Sequence, residues 1–290
     1  HLFNFDIRDE FNIEKIFLNA INSGEAIESV IHFAGLKSVA ESVDNPLLYW
    51  DVNVRGTISL LKIMEKYNCK TIVFSSSATI YGKGSDKPLL ENSEINPINP
   101  YGKTKFTIEK ILHDLFNYKK DWKIINLRYF NPIGAHPSGL IGENPIKNVN
   151  NLFPIILDIA IGKTKILKIF GNEWPTHDGT GIRDYIDIMD LSEGHLKSLE
   201  YLQKNPPQIL DLNLGTGIGT SVLDLVRSFE RVNRIRIPYE ICPPRQGDVP
   251  CLVADNTLSR NILDWSPKMA IEDACINGWK WKSSYPDGYI

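Results

Sequence analysis

Thr71-Ile72-Val73-Phe74-Ser75-Ser76-Ser77, followed further on by Pro100-Tyr101-Gly102-Lys103-Thr104-Lys105, is the pair of segments that decides the fold. The first is a short run of β-branched and aromatic residues that ends in three serines, which reads as a strand and its turn. The second opens with a proline suited to a first helical turn. Tyr101 and Lys105, four residues apart, then share one helix face. On that face an ammonium beside the phenol favours the ionised form of a group whose ordinary pKa is about 10. A serine hydroxyl at the strand end can reach the same substrate oxygen. Such a trio suits proton removal from a sugar hydroxyl as hydride leaves the same carbon. The spacing by itself is weak evidence in a chain with eleven tyrosines, although Tyr101 alone has lysine at i+4.

Working outward, residues 2–5 read as a short strand and 11–22 as a helix by apolar spacing. Ser29-Val30-Ile31-His32-Phe33-Ala34-Gly35 reads as a buried strand ending in a glycine turn. Residues 46–67 read as one long amphipathic helix, and 123–129 as another strand. Strands alternating with helices predict an α/β fold with a doubly wound parallel sheet. The texture changes after Asn131-Pro132. Residues 132–153 are rich in Gly, Pro and Asn, a long loop of the kind that usually carries function. Beyond it we expect a helix near 153–162, a strand at 166–170, a second loop at 171–181 and a helix from Asp190. A strand at 209–214 and helices at 220–232 and 270–282 complete the pattern.

The formal net charge of −3 gives no reason to expect nucleic acid or an anionic membrane as partner. No apolar run approaches the roughly 20 residues of a membrane-spanning helix. Cys69, Cys242, Cys251 and Cys275 are scattered without a C-x-x-C pair, so neither zinc nor a disulfide framework is expected. His136 and His177 lie in loops and lack metal-ligand spacing. Leu214-Gly215-Thr216-Gly217-Ile218-Gly219-Thr220 imitates a dinucleotide fingerprint, but Thr220 stands where the third glycine belongs. It reads as a tight turn.

Several longer motifs follow one another in order: Phe33-Ala34-Gly35-Leu36-Lys37, Asn53-Val54-Arg55-Gly56-Thr57, Phe74 to Gly82, Pro100 to Lys105, Arg128-Tyr129-Phe130-Asn131-Pro132, Pro175 to Tyr185 and Pro244 to Asp248. Together they resemble the UDP-glucose (UDP-galactose) 4-epimerases of the extended short-chain dehydrogenase/reductase superfamily, from end to end of the chain. The resemblance implies a tightly bound NAD and transient oxidation at sugar C4. It assigns Tyr101 as base and later acid, Lys105 as the residue that lowers its pKa, and Ser77 as a sharer of the proton path. Around NAD it implies Asp6, Ile7, Phe33, Ala34, Lys37, Asn53, Ser75, Tyr101, Lys105 and Tyr129. Around the UDP-sugar it implies Ser77, Phe130, Asn131, Asn151, Leu152, Phe170, Arg183, Tyr185, Arg245, Asp248 and Leu252. Taken alone, Arg183 and Arg245 would read as surface charges; guanidinium groups nonetheless suit a diphosphate. The expected division is a Rossmann-type NAD domain over 1–131, with 184–214 returning to it, and a smaller mixed α/β UDP-sugar domain over 132–290. A cytoplasmic location and a homodimer through helices 46–67 and 101–118 are further expectations of the resemblance.

The sequence departs from the family pattern in two places. The opening strand, glycine-rich turn and helix are not among the residues given, so the chain is expected to be an N-terminally truncated form lacking its first βαβ unit. Residues 2–5 would then be left without a neighbour, the edge of strand 29–33 would be exposed, and the residues as given would hold NAD poorly. Leu252 stands where the family alternates between a large tyrosine and a small cysteine. It implies preference for UDP-glucose and UDP-galactose with some access for N-acetylated sugars. Nucleotide-sugar 4,6-dehydratases need an acidic pair after the serine run, and Ala78-Thr79 stands there instead. Epimerases of UDP-N-acetylhexosamines, UDP-pentoses or UDP-uronates share the same chemistry and stay open. So does a non-catalytic protein that only binds UDP-sugar, although Tyr101, Lys105, Ser77 and both arginines are intact.

Overall fold

The computed structural model describes residues 1–85, 87–145, 151–245 and 248–289. Its first elements are α1 (Glu10–Asn22), β1 (Ser29–His32), α2 (Val39–Asp44), α3 (Pro46–Tyr49), a π-helical turn (Trp50–Arg55) and α4 (Gly56–Lys66). Then come β2 (Thr71–Ser75), a 3-10 turn (Ala78–Tyr81), α5 (Pro100–Tyr118), β3 (Lys123–Tyr129) and β4 (Asn131–Ile133). The later elements are α6 (Leu152–Ala160), β5 (Leu167–Phe170), β6 (Ile182–Arg183), β7 (Tyr185–Asp187), α7 (Ile188–Lys204) and β8 (Gln208–Leu214). β9 (Thr220–Ser221), α8 (Val222–Asn233), β10 (Tyr239–Cys242), β11 (Cys251–Leu252), α9 (Thr257–Leu263) and α10 (Ile271–Ser284) follow. Two compact units result, one formed by His1–Gly82, Glu94–Arg128 and His195–Leu212, the other by Lys83–Ser93, Tyr129–Gly194 and Asn213–Ile290.

The first unit is built on a sheet of order β1-β2-β3-β8. β1 and β2 run parallel with Ser29 opposite Thr71, and β2 and β3 run parallel with Thr71 opposite Lys123. The parallel, Rossmann-type sheet is as the alternation of elements predicts. Ile72, Val73, Phe74, Ile124 and Ile125 are fully buried, as strands covered on both faces require. Helices α1, α4 and α5 add Phe17, Met64, Ile108 and Leu112 to the same core, closed by Trp122. Each such side chain contributes roughly 1.5–3 kcal/mol. α5 begins as expected, with Pro100 at its first turn and the Asn99 side chain accepting the Gly102 N–H at 2.8 Å.

Three expectations need correction here. Residues 2–5 form no strand. Among the described residues no strand lies beside them to take their backbone hydrogen bonds, and Leu2 is 97 % exposed. Strand 29–33 is not buried throughout: β1 is an edge of the described sheet, with Ile31 and Phe33 exposed. Helix 46–67 is not uniform. The π turn at Trp50–Arg55 carries an extra residue, which resets the helical face and turns Asn53 and Val54 inward.

The second unit contains three small sheets, β10-β5, β11-β6-β9 and β4-β7. Its core joins α6, α8 and α10 through Phe153, Ile156, Leu225, Phe229 and Cys275. α8 is capped by Ser221, whose hydroxyl accepts the Asp224 N–H at 3.0 Å. The loop expected at 132–153 contains β4, and its residues 146–150 lie outside the described part, as do Gln246 and Gly247. Among the described residues no helix is long and apolar enough to cross a membrane.

Candidate active site

In the first unit, β2 delivers the serine run and α5 delivers Tyr101 and Lys105. Ser75, Ser76, Ser77, Tyr101 and Lys105 are all buried. Lys105 Nζ donates to the Ser75 carbonyl at 2.7 Å and lies 5.9 Å from the Tyr101 ring centre. The ammonium therefore ties α5 to the carboxyl end of β2. Burial lowers its pKa to about 8, opposed by Glu109 one turn further along. Ser77 opens the 3-10 turn, its Oγ accepting from the Thr79 N–H at 3.3 Å and the Thr79 hydroxyl at 3.0 Å. Close approach explains Gly102: a Cβ there would lie 2.9 Å from the Thr79 carbonyl and 3.1 Å from Pro97 Cβ. The first turn of α5 is thus pressed against the serine turn, which brings Tyr101 to Ser77's neighbourhood.

Asn53 fastens the next part. Its Oδ1 accepts the Leu36 N–H at 2.7 Å, while Nδ2 donates to the Leu36 carbonyl at 3.1 Å and to Thr104 Oγ1 at 3.1 Å. The Phe33–Lys37 turn after β1 is held in this way to the π turn and to α5. Within it Phe33, Ala34 and Lys37 are exposed. Ser75 Oγ is 3.0 Å from His195 Nε2, and the His195 ring lies 4.7 Å from that of Phe33. Asp6 is gripped by Arg8 at 2.6 Å, whose hydrogen bonds lower its pKa to about 2. Ile7 packs on the apolar core of the unit. Two groups were not anticipated from the sequence: His195, and a buried Glu109–Arg128 ion pair with Nη2 2.8 Å from Oε2. A signal for the pair was present, since Arg128 places a charge within the strand 123–129 and Glu109 follows Lys105 by one turn.

In the second unit the UDP-sugar candidates are more dispersed. The Arg245 guanidinium lies 3.7 Å from the Phe170 ring centre. Arg183 Nη1 donates to the carbonyls of Ile182 at 2.8 Å and Val249 at 2.9 Å. Leu252 pairs with Arg183 across β11 and β6, and the Asn131 N–H donates to the Asp184 carbonyl at 3.0 Å. Asp248 and Leu252 are half-buried, as are Tyr129, Asn131 and Leu152, whereas Asn151 is exposed. Phe130 and Tyr185 are buried, and burial raises the Tyr185 pKa to about 12.

Between Arg183 and Tyr185, Asp184 explains the glycine turn that imitates a fingerprint. Its Oδ1 accepts from the Thr216 N–H at 2.8 Å and the Thr216 hydroxyl at 2.7 Å; its Oδ2 accepts from the N–H groups of Gly217 at 2.9 Å and Ala254 at 3.2 Å. The turn is an anion nest already filled by the chain's own carboxylate. A Cβ on Gly215 would lie 2.5 Å from Asp184 Oδ2, so glycine is required there. His177, Asp178 and Asp224 also meet, with His177 Nε2 2.8 Å from Asp224 and 3.7 Å from Asp178. Asp178 already accepts from Thr180 and Ser221, and Arg227 lies 3.5 Å from Asp224 beside the α8 N-terminus. These contacts make the group a surface hydrogen-bond cluster joined to a helix cap.

A family profile described as GDP-mannose 4,6 dehydratase matches residues 1–277. Over 288 residues the chain is 46 % identical to UDP-glucose 4-epimerase 4 of Oryza sativa subsp. japonica, covering 99 % of this chain and 77 % of that one. It is likewise 46 % identical to the UDP-glucose 4-epimerase of Bacillus subtilis, over 98 % of this chain and 82 % of that protein. The chain belongs to the UDP-glucose 4-epimerase family. The solved UDP-glucose 4-epimerase of Bifidobacterium longum, in complex with NAD+ and UDP, superposes with a TM-score of 0.92 at 40 % identity, covering 99 % of this chain and 84 % of that one. In this family of the extended short-chain dehydrogenase/reductase superfamily, the expected doubly wound fold is borne out.

Proposed function

We propose that this protein interconverts UDP-galactose and UDP-glucose by transient oxidation at sugar C4 with NAD as cofactor. The observation that carries the chemistry is the buried Tyr101–Lys105 pair on α5, tied through Lys105 to the serine run. Tyr101 takes the proton from the sugar 4-hydroxyl and later returns it, and Ser77 hydrogen-bonds the same oxygen. Lys105 is cationic at neutral pH, since its pKa of about 8 lies above it, and its charge favours the phenolate.

The residues present fit a dinucleotide at its nicotinamide end. Among the described residues the buried Lys105 Nζ donates one hydrogen bond, to Ser75, so its other N–H groups could meet ribose hydroxyls. The carboxyl ends of parallel strands are also where ligands sit in such sheets. Phe33, Ala34, Lys37, Asn53, Ser75 and Tyr129 would complete that side, with Asp6 and Ile7 toward the adenine end. NAD, when bound, accepts the C4 hydride and gives it back. In the second unit Arg183 and Arg245 would bind the diphosphate. Phe130, Asn131, Asn151, Leu152, Phe170, Tyr185, Asp248 and Leu252 would shape the rest of the UDP-sugar site.

A homodimer through α3–α4 and α5 fits this reading, supported by exposed Leu47, Leu48 and Ile58 on the first of these segments. Sedimentation tests it, with a monomer at micromolar concentration as the contrary outcome. A cytoplasmic location accords with four free cysteines, and fractionation tests that. The activity itself is tested by supplying UDP-galactose and NAD to the native protein and detecting UDP-glucose with a coupled dehydrogenase.

A further inference from the structure

We propose that the buried Glu109–Arg128 pair is a positioning device that holds the serine turn against the catalytic helix; the inference rests on the epimerase reading above. Glu109 lies on α5 one turn beyond Lys105 and two beyond Tyr101, so it shares their side of the helix. Its Oε1 accepts a hydrogen bond from Ser76 Oγ, between Ser75 and Ser77. Arg128, on β3, donates to the same carboxylate through Nε at 3.1 Å and Nη2 at 2.8 Å. The rest of the guanidinium reaches further: Nη1 donates to the Tyr81 hydroxyl at 3.2 Å and Nη2 to Asp211 Oδ2 at 3.0 Å. Ser76 and Tyr81 bracket Ser77 and the 3-10 turn. One ion pair therefore grips the catalytic serine's segment at both ends and anchors it to the helix that carries Tyr101 and Lys105.

Location is the argument for function. Both side chains are 2 % exposed. A buried ion pair adds little stability that well-packed apolar residues of similar volume would not supply, so stability alone does not call for one here. An apolar pair would fill the space but remove the Ser76–Glu109 and Arg128–Tyr81 hydrogen bonds. The groups facing Glu109 are Ser76 from the strand end, Arg128 from β3, Asp211 from β8 and Lys105 from its own helix. Lys105 and Arg128 are the cations among them, and Arg128 is the one hydrogen-bonded to the carboxylate.

The test compares the native protein with the Glu109→Leu/Arg128→Met double variant, which removes both charges together, and with Ser76→Ala, which removes one tether. Hydrogen exchange followed by mass spectrometry should show the peptide spanning residues 75–82 exchanging at least about tenfold faster in the double variant, with the α1 and α4 peptides unchanged. Turnover of UDP-galactose should fall by roughly 10- to 100-fold in kcat, with KM within about twofold, because misplacement rather than lost binding is responsible. Ser76→Ala should show the same split to a smaller extent. Unchanged exchange in the 75–82 peptide overturns the proposal, and so does faster exchange with a wild-type kcat. A native protein that forms no UDP-glucose contradicts the epimerase reading, and the exchange result then decides the holding role by itself.

Discussion

Replacing Asp184 by asparagine exchanges one carboxylate oxygen for an NH2 group inside a ring of donors. Four hydrogen bonds converge on this side chain, which is fully buried. Burial pushes its pKa up while the donors from Thr216, Gly217 and Ala254 pull it back. Asparagine satisfies two donors at most, and its own amide hydrogens then point at the other two. Each buried group left unsatisfied costs roughly 1–3 kcal/mol. The Gly217 N–H is close to solvent and the Ala254 N–H is buried, so the total falls at roughly 2–4 kcal/mol. For a domain of this size each kcal/mol moves Tm by about 2–4 °C, which gives a drop of roughly 5–15 °C. Differential scanning calorimetry at neutral pH reads this, with Thr216→Val, which removes one hydroxyl donor, expected to cost about 1 kcal/mol. Because Asp184 is bonded between Arg183 and Tyr185, Asp184→Asn should also weaken UDP binding measured by titration calorimetry. A Tm within about 1 °C of wild type would refute the filled-nest reasoning, since that shift is well under 1 kcal/mol.

Lys105 sets an alkaline limit. Its folded pKa of about 8 lies below that of a free lysine, so the ammonium is present below pH 8 and lost above it. kcat/KM should fall as pH rises through about 8, and Lys105→Met should lower the rate and remove that limb; a flat profile to pH 10 in the wild type would contradict this. Asp187 has a buried oxygen, Oδ2, without a hydrogen-bond partner among the described residues, and burial raises its pKa to about 6. The folded state thus binds this proton more readily than the unfolded state, and stability from it is lost as pH rises through 6. Asp187→Asn should flatten the dependence by about 1 kcal/mol between pH 5 and 7.5 in urea unfolding; an unchanged slope would contradict the assignment. Leu252, half-buried on β11, should favour unmodified hexoses, so UDP-galactose should turn over faster than UDP-N-acetylgalactosamine. Equal kcat/KM for the two would remove that role.

The core strands were legible because short runs rich in Ile, Val, Leu and Phe leave few alternatives, and β2, β3 and β8 fall within a residue of their expected bounds. α5 was equally legible from Pro100 and its apolar period. The exposed edge of β1 was legible only through the sheet order that the resemblance implies, because pairing lies between strands and not within one. The π turn at Trp50–Arg55 escaped for a related reason: one inserted residue barely alters a helical period, yet it decides which way Asn53 faces. Within the site, Tyr101, Lys105 and Ser77 were readable as motif and spacing. His195 was not, and Glu109 and Arg128 showed only as charges within a helix and a strand, since each acts through partners distant in sequence. The Gly215–Gly219 turn shows the converse, a local pattern shared by phosphate loops whose N–H groups are taken up by Asp184.

The most direct measurement is the rate at which the native protein converts UDP-galactose into UDP-glucose, with and without Tyr101→Phe, followed by proton NMR of the sugar. Wild type should approach a mixture of the two sugars from either side. Tyr101→Phe should be slower by roughly 10²–10⁴-fold, the contribution of general acid–base catalysis, while binding UDP as tightly as before. An unchanged rate in Tyr101→Phe, or no UDP-glucose from the wild type with NAD supplied, would contradict an epimerase working through Tyr101.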